Sequence, residues 1–365
     1  MKHPILKIAF LILFGSVLFA ACTTASEATT EATTEPSSET ENVLRIYNWD
    51  TYIDPTILED FEEAFGVTIE YETFDNNEEL FEEMQNDESF NYDLIVPTDY
   101  MVEILRQEGL LTPLTKDNIP NFDNLDAAFI DPGYDFGNRH CVPYQWGTMG
   151  IGYNIEATGR EIHSWLDLFD PEFAGRVALL DDARSTLAVI LLSLNYSPNT
   201  TNADEIMEAA NFLKEHADQI AAYAPDTGQD MLLAGEVDLT FEWSGDIFQI
   251  MEENPNIRYV IPDEGSIIWT DNMCIPEDAS NKELAERFMN YILEPEVGAT
   301  LSNFVRYGSP NQASVPFLNE EDVNNPALYP TETVREQLFF LTSTNVETDQ
   351  LYVDAWDEVL ASHSQ

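Results

Sequence analysis

Val43-Leu-Arg-Ile-Tyr-Asn-Trp-Asp-Thr-Tyr-Ile-Asp-Pro-Thr-Ile-Leu-Glu-Asp-Phe61 reads as a strand, a short loop and a helix. The apolar residues of 43–47 predict the strand. Asp54-Pro55 predicts the helix start, because proline at the first helical position forfeits an N–H that has no partner there. Between them lie Asn48, Trp49, Asp50 and Tyr52. Aromatics and a carboxylate at a strand's C-terminal end stand where α/β sheets place ligand sites. Trp49 has a second reading, as a plug packed on the domain edge.

Working outward, Ile57, Leu58, Phe61 and Phe65 recur at helical spacing and Gly66 closes the helix. A strand at 67–74, a helix at 77–85, a short apolar strand at 92–96 and a helix from 101 to about 109 follow. Strands alternating with helices predict an α/β, doubly wound sheet. The theme repeats with strands at 176–180, 237–243 and 257–261 and helices at 185–195, 203–217, 281–293 and 295–304. A last helix is expected at 346–361. Two longer extended stretches, 142–153 and 267–275, read as crossings between two domains. The expected architecture is therefore two doubly wound α/β domains joined by hinge crossings, with a cleft between them. The first lobe takes 43–147 plus 271–315, the second 148–270 plus 316–365.

The 365 residues suit two domains. Fifteen Lys+Arg stand against 68 Asp+Glu, a formal net charge of -53. Nucleic acid and anionic lipid surfaces need positive charge on the protein, so neither is an expected partner. The charge favours cationic ligands. General acidic adaptation explains the same excess, because the acids are spread over the whole chain.

Residues 1–21 have the layout of a secretory signal: Lys2 and Lys7, then a mostly apolar run too short for a good membrane span. Leu18-Phe-Ala-Ala-Cys22 resembles a bacterial lipoprotein cleavage box, with Phe19 in place of the usual leucine. Lipid attachment at Cys22 is expected, tethering an exported chain by its acyl groups. Residues 23–42, rich in Thr, Ser and Glu, hold no aromatic and no aliphatic larger than alanine, and read as a disordered linker. Cys141 and Cys274 remain. An exported protein can bridge such a pair, but sequence does not settle pairing, and we expect two buried free thiols.

No catalytic or cofactor motif is present: no P-loop, no G-x-S-x-G, no H-E-x-x-H, no paired CxxC. The glycines at 147, 150 and 152 follow a crossing strand and open no helix. Neither cofactor, metal nor catalysis is expected. What recurs is an aromatic or acid after a strand: Trp49, Asp50 and Tyr52; Thr98, Asp99 and Tyr100; Asp181 and Asp182; Trp243 and Asp246; Trp269 and Asp271. Taken singly, Asp99 and Asp181 read as helix caps. Together the set suits an organic polycation. Ammonium groups over aromatic faces gain about 0.5–2 kcal/mol each, and carboxylates accept charge-assisted hydrogen bonds from them.

Tyr47-Asn-Trp-Asp-Thr-Tyr52, Tyr92-Asp-Leu-Ile-Val-Pro97, Val142-Pro-Tyr-Gln-Trp-Gly147, Leu180-Asp-Asp-Ala-Arg184, Trp243-Ser-Gly-Asp246, Trp269-Thr-Asp-Asn-Met-Cys-Ile-Pro276 and Leu328-Tyr-Pro330 occur in that order. Together they resemble the spermidine/putrescine-binding proteins of bacterial ABC uptake systems, from Val43 to the C-terminal helix. The resemblance implies a hinged, periplasmic-binding-protein fold (type II-like), a polyamine ligand, an ABC permease partner, a monomer and no catalysis. It implies that Trp49, Tyr52, Thr98, Tyr100, Asp182, Trp243, Trp269 and Asp271 face the ligand. Asp246 resembles an acid of the putrescine-preferring members. Ser185 stands where many members have Glu, and Phe340 where the spermidine binder has Gln. Other readings are a protein for another cationic solute such as agmatine or a quaternary amine, a surface glycoside hydrolase, since paired acids with aromatic platforms also serve sugars, and an acidic adhesin.

Overall fold

The structure, a computed structural model, describes residues 42–363 apart from 88 and 343. The expected signal, Cys22 and the linker up to residue 41 lie outside them. No helix among the described residues is long and apolar enough to cross a membrane.

The strands are β1 (Val43–Asn48), β2 (Thr68–Thr73), β3 (Leu94–Ile95), β4 (Cys141–Asn154), β5 (Val177–Leu180), β6 (Ile220–Ala224), β7 (Leu239–Trp243), β8 (Ile257–Val260), β9 (Ser266–Cys274) and β10 (Leu338–Phe339). They form one sheet in the order β2-β1-β3-β9-β4-β7-β5-β6, with β8 on β4 and β10 on β9. Each end of the sheet is parallel: β2-β1-β3 on one side and β7-β5-β6 on the other. The long antiparallel pair β4 and β9 sits between them. β4 pairs with β9 over Cys141–Thr148, then with β7 and β8 over its later residues. The two expected crossings are thus neighbours in one ladder.

Local chemistry explains the elements that flank the sheet. Asp54 caps the helix Pro55–Phe65 by accepting from the Thr56 N–H at 2.9 Å, and Gly66 ends it at a left-handed φ of 66°. Ser164 and Asp167 form a capping box around the turn Trp165–Phe169, which buries the Trp165 ring completely. The α/β fold class is as expected. The parallel reading needs one amendment, because the crossings insert an antiparallel pair into the sheet.

A second correction concerns the cysteines. Cys141 and Cys274 are direct partners in the β4–β9 register, with Cα atoms 4.4 Å apart, and they form a disulfide rather than two free thiols. Directly opposed residues of a non-hydrogen-bonded antiparallel pair come to about this distance. The chain separation of 133 residues hid the contact from sequence.

Candidate functional site

The C-terminal ends of β1 and β3 on one wall, and of β5 and β7 on the other, open onto two adjoining cavities. Trp49, Thr98, Trp243 and Trp269 border both. Tyr100, Asp182 and Ser185 line the first; Tyr52, Asp246 and Asp271 line the second. Every residue that the resemblance places against the ligand, and Ser185 with them, therefore borders one of two cavities that share these four residues, whereas Phe340 borders neither.

Asp271 is the buried centre. It lies in β9, is 5% exposed, and its Oδ1 accepts from Thr98 Oγ1 at 2.7 Å. Thr98 stands at the N-cap of the helix Asp99–Gln107 yet makes no side-chain cap bond there. Its hydroxyl serves Asp271, while Asn77 Nδ2 donates to the same oxygen at 3.2 Å. Burial pushes the Asp271 carboxyl up to about 7. Asp246 opens the helix Ser244–Glu253 and takes a 2.6 Å hydrogen bond from the Tyr307 hydroxyl. Burial, then the charge of Asp226, pushes it up to about 8.

The aromatic walls interlock. Trp243 and Trp269 meet edge to face at 5.5 Å, and Trp269 and Tyr307 at 5.0 Å. Tyr307 meets Tyr52 at 5.5 Å. Such close approach needs glycine at 147, where a Cβ would fall 2.6 Å from Trp269 Cζ2 and 2.9 Å from Tyr307 Cδ1. Gly147 of β4 thus makes room for the rings. Trp49 satisfies both of its readings: its indole N–H is pinned to the Val96 carbonyl at 2.8 Å, while the ring borders the cleft. The Trp269 N–H is buried without a hydrogen-bond partner, which leaves it facing the need for a ligand or water, and the Tyr52 hydroxyl is buried facing the Asp271 carboxyl.

At the other end, Asp182 caps the helix Ala183–Ser193, accepting from the Ser185 N–H at 2.6 Å. The cap is Asp182, not Asp181; Asp181 accepts from Trp356 Nε1 at 3.0 Å. Nor is Asp99 a simple cap: it is buried and accepts from the N–H groups of Tyr100 and Thr270. Asp50 is exposed and accepts from the Thr51 N–H, yet its residue still borders the second cavity. Tyr100 donates to Glu78 at 3.1 Å. Glu78 is exposed at the surface, but desolvation of its carboxyl beside Tyr100, then the Asp182 charge, pushes it above the ordinary carboxylate range. Leu341, not Phe340, lines the cleft, and Phe340 is 45% exposed. Successive side chains of an extended segment face opposite ways, so Phe340 turns out where Leu341 turns in.

Sequence reading missed Tyr307, Glu78, Asp226 and Glu242. Tyr307 follows Arg306, which has a left-handed φ of 61°, in a loop with no periodic pattern. Glu242 did carry a signal, as a lone acid inside the apolar strand Leu239–Trp243.

A profile of the bacterial extracellular solute-binding protein family matches residues 56–331. The chain belongs to that family. It is 36% identical over 300 residues to the spermidine/putrescine-binding periplasmic protein of Escherichia coli, covering 82% of this chain and 86% of that one. It is 31% identical to the putrescine-binding periplasmic protein of the same organism, over 87% of this chain and 91% of that one. A solved spermidine/putrescine ABC transporter structure from Listeria monocytogenes superposes with a TM-score of 0.84 at 34% identity, covering 87% and 99% of the two chains. The substrate-binding protein of a spermidine/putrescine ABC transporter from Streptococcus pneumoniae gives 0.77 at 32%, covering 88% and 99%. The family fold is the periplasmic-binding-protein architecture expected from sequence, and its members bind solutes rather than transform them.

The acids imply a definite pH response. The folded values of Asp271 and Asp246 lie above their unfolded value of 3.8. Their contribution to stability is therefore complete below about pH 4 and is lost as pH rises through about 7 to 8. The ligand-free melting temperature should fall between pH 5 and 8.5, and a saturating cationic ligand should reverse the fall. Scanning calorimetry across that range checks this; a ligand-free profile that rises with pH contradicts it.

Proposed function

We propose that the protein is an extracytoplasmic solute-binding lipoprotein that captures spermidine or putrescine in the cleft and hands it to an ABC permease. The observation that carries the reading is the buried Asp271 in the aromatic cleft, held by the neutral Thr98 hydroxyl and, among the described residues, paired with no cationic side chain. A carboxylate so placed is stable as an anion only against a cation. The aromatic faces cover the methylenes, and the acids hold the ammonium groups.

The lobes in this reading are 43–147 plus 271–315 and 148–270 plus 316–365. Contacts of the tail support the second: Tyr352 donates to the Thr200 carbonyl and Lys214 pairs with Glu358. Contacts of both lobes with one ligand favour the closed form. The protein acts as a monomer tethered through Cys22. Cys22→Ala should move it from the membrane fraction to the soluble fraction; equal sedimentation of both forms would remove the anchor from the account.

The test of function is a thermal-shift panel at pH 7.5. Spermidine and putrescine should raise the melting temperature by several degrees at a hundredfold excess over Kd, where linkage adds about 2.7 kcal/mol. Sodium chloride at matched ionic strength should not. An equal rise with salt would sink the polyamine reading. Agmatine belongs in the panel, because a putrescine/agmatine-binding protein of Pseudomonas aeruginosa is 29% identical over 87% of this chain.

A further inference from the structure

The tail of the chain reaches the cleft through one short step. β10 pairs with β9 at Leu338 and Phe339, and the ladder stops there. Leu341 then turns in and lines the first cavity, while Phe340 stays out in solvent. Side chains, rather than a strand, meet the backbone on either side of Leu341. Asn199 Nδ2 donates to the Phe340 carbonyl at 2.8 Å, and Asn199 Oδ1 accepts from the Thr342 N–H at 3.0 Å. Arg184 Nη2 donates to Asn199 Oδ1 at 3.2 Å and to the Thr342 carbonyl at 3.4 Å.

A neighbouring parallel strand would make the same two bonds, to the carbonyl before a residue and the N–H after it. The Asn199 carboxamide thus stands in for a strand edge one residue long. Its orientation follows from its partners, since only the oxygen can accept from Thr342 and Arg184 and only the nitrogen can donate to Phe340. Asn199 lines neither cavity. It lies in the turn between the helices Ala183–Ser193 and Ala203–Glu215, and that turn is itself held. The Asn199 N–H donates to Ser197 Oγ, and the Thr200 carbonyl accepts from the Tyr352 hydroxyl. The Arg184 guanidinium lies over the Tyr352 ring, 4.1 Å from its centroid.

A fixed turn therefore grips a step in which one position exchanges the inward and outward faces. The rest of the tail has its own tethers, because Trp356 donates to Asp181 and Lys214 pairs with Glu358. Removing the carboxamide should loosen the step around Leu341 and leave the helix Val346–His363 docked. Leu341 borders the first cavity and not the second, so the consequence falls on ligands that extend into the first.

We infer that Asn199 is a positioning residue of the cleft: its carboxamide holds Leu341 into the first cavity and Phe340 out of it, and so sets the affinity for amines that reach that cavity. The inference rests on the polyamine reading for its ligand, and on the hydrogen bonds alone for the positioning.

Two measurements test it. The first is hydrogen exchange of the segment 338–342 in the ligand-free protein. Asn199→Ala should speed exchange there at least tenfold and leave the strands β4 and β9 protected as in the wild type. The second is calorimetry of spermidine and putrescine with Asn199→Ala, Leu341→Ala and the double variant. Asn199→Ala should weaken spermidine at least fivefold and putrescine less than twofold. Leu341→Ala should do the same, and the double variant should bind spermidine within twofold of Leu341→Ala, because residues that act through one another are not additive. If Asn199→Ala does not fold, Asn199→Asp replaces it. Aspartate keeps the acceptor for Thr342 and Arg184 but loses the donor to Phe340, and should still speed exchange and weaken spermidine at least twofold. Equal losses for both amines mark a residue that merely supports the fold, and overturn the inference. So do additive losses in the double variant, or an unchanged affinity for spermidine. Unchanged exchange at 338–342 overturns the positioning whatever the wild type binds. Absence of polyamine binding by the wild type overturns the polyamine reading, and the affinity claim with it.

Discussion

Asp271→Asn is expected to weaken polyamine binding at least about thirtyfold while leaving the fold intact. The carboxylate is 5% exposed and takes a hydrogen bond from the neutral Thr98 hydroxyl. Its full charge therefore awaits a partner that the protein does not supply. Truncating one side of a buried, hydrogen-bonded charge pair costs about 2–5 kcal/mol, and about 1.4 kcal/mol is tenfold in affinity. Asparagine keeps the shape and an acceptor for Thr98, so β9 retains its register. It also removes the burial cost of a charge, so the ligand-free protein should be no less stable at pH 8. Quenching of tryptophan fluorescence on titration reads the affinity, because Trp49, Trp243 and Trp269 line the cleft. A loss under threefold would place the ligand elsewhere.

The second large effect is on stability. The disulfide between Cys141 and Cys274 closes a loop spanning 133 positions. A cross-link over about 100 residues removes some 4.7 kcal/mol of unfolded-chain entropy on the simple polymer view, and native pairs commonly contribute about 2–5. Replacing both cysteines by serine should lower the unfolding free energy by that amount in urea titrations. Affinity should hold within threefold. The pair sits among Tyr47, Ile95, Leu105 and Leu111, in an apolar cluster beyond the ligand-lining part of β9. A variant as stable as the wild type would contradict the bridge.

These predictions draw unequally on sequence and structure. Residues after strands were legible because an aromatic or acid stands out against an apolar run, and parallel strands bring their C-terminal ends to a common edge. That logic found Trp49, Thr98, Asp182 and Trp243. Asp271 sits within β9 itself, and it was found through the motif around Trp269. What sequence could not supply was register. The pairing of Cys141 with Cys274 depends on how two strands 133 residues apart are aligned. The choice between Phe340 and Leu341 turns on a single step beside β10, where one position exchanges the inward and outward faces. Tyr307 comes from an irregular loop, and only the folded chain shows it donating to Asp246.

The glycines of β4 illustrate the difference between motif and packing. In sequence, 147, 150 and 152 are a glycine-rich run that opens no helix and carries no phosphate-binding motif. In the fold, Gly147 admits the rings of Trp269 and Tyr307, and Gly150 admits Tyr259, whose Cζ lies 2.5 Å from where a Cβ would be. Of these glycines, Gly147 shapes the aromatic wall of the cleft.

The most direct measurement is an isothermal titration of spermidine and putrescine into portions of one sample of the protein, purified free of polyamine. The account predicts saturable binding of one ligand per chain for at least one of the two amines. No heat from either amine at micromolar protein would contradict it.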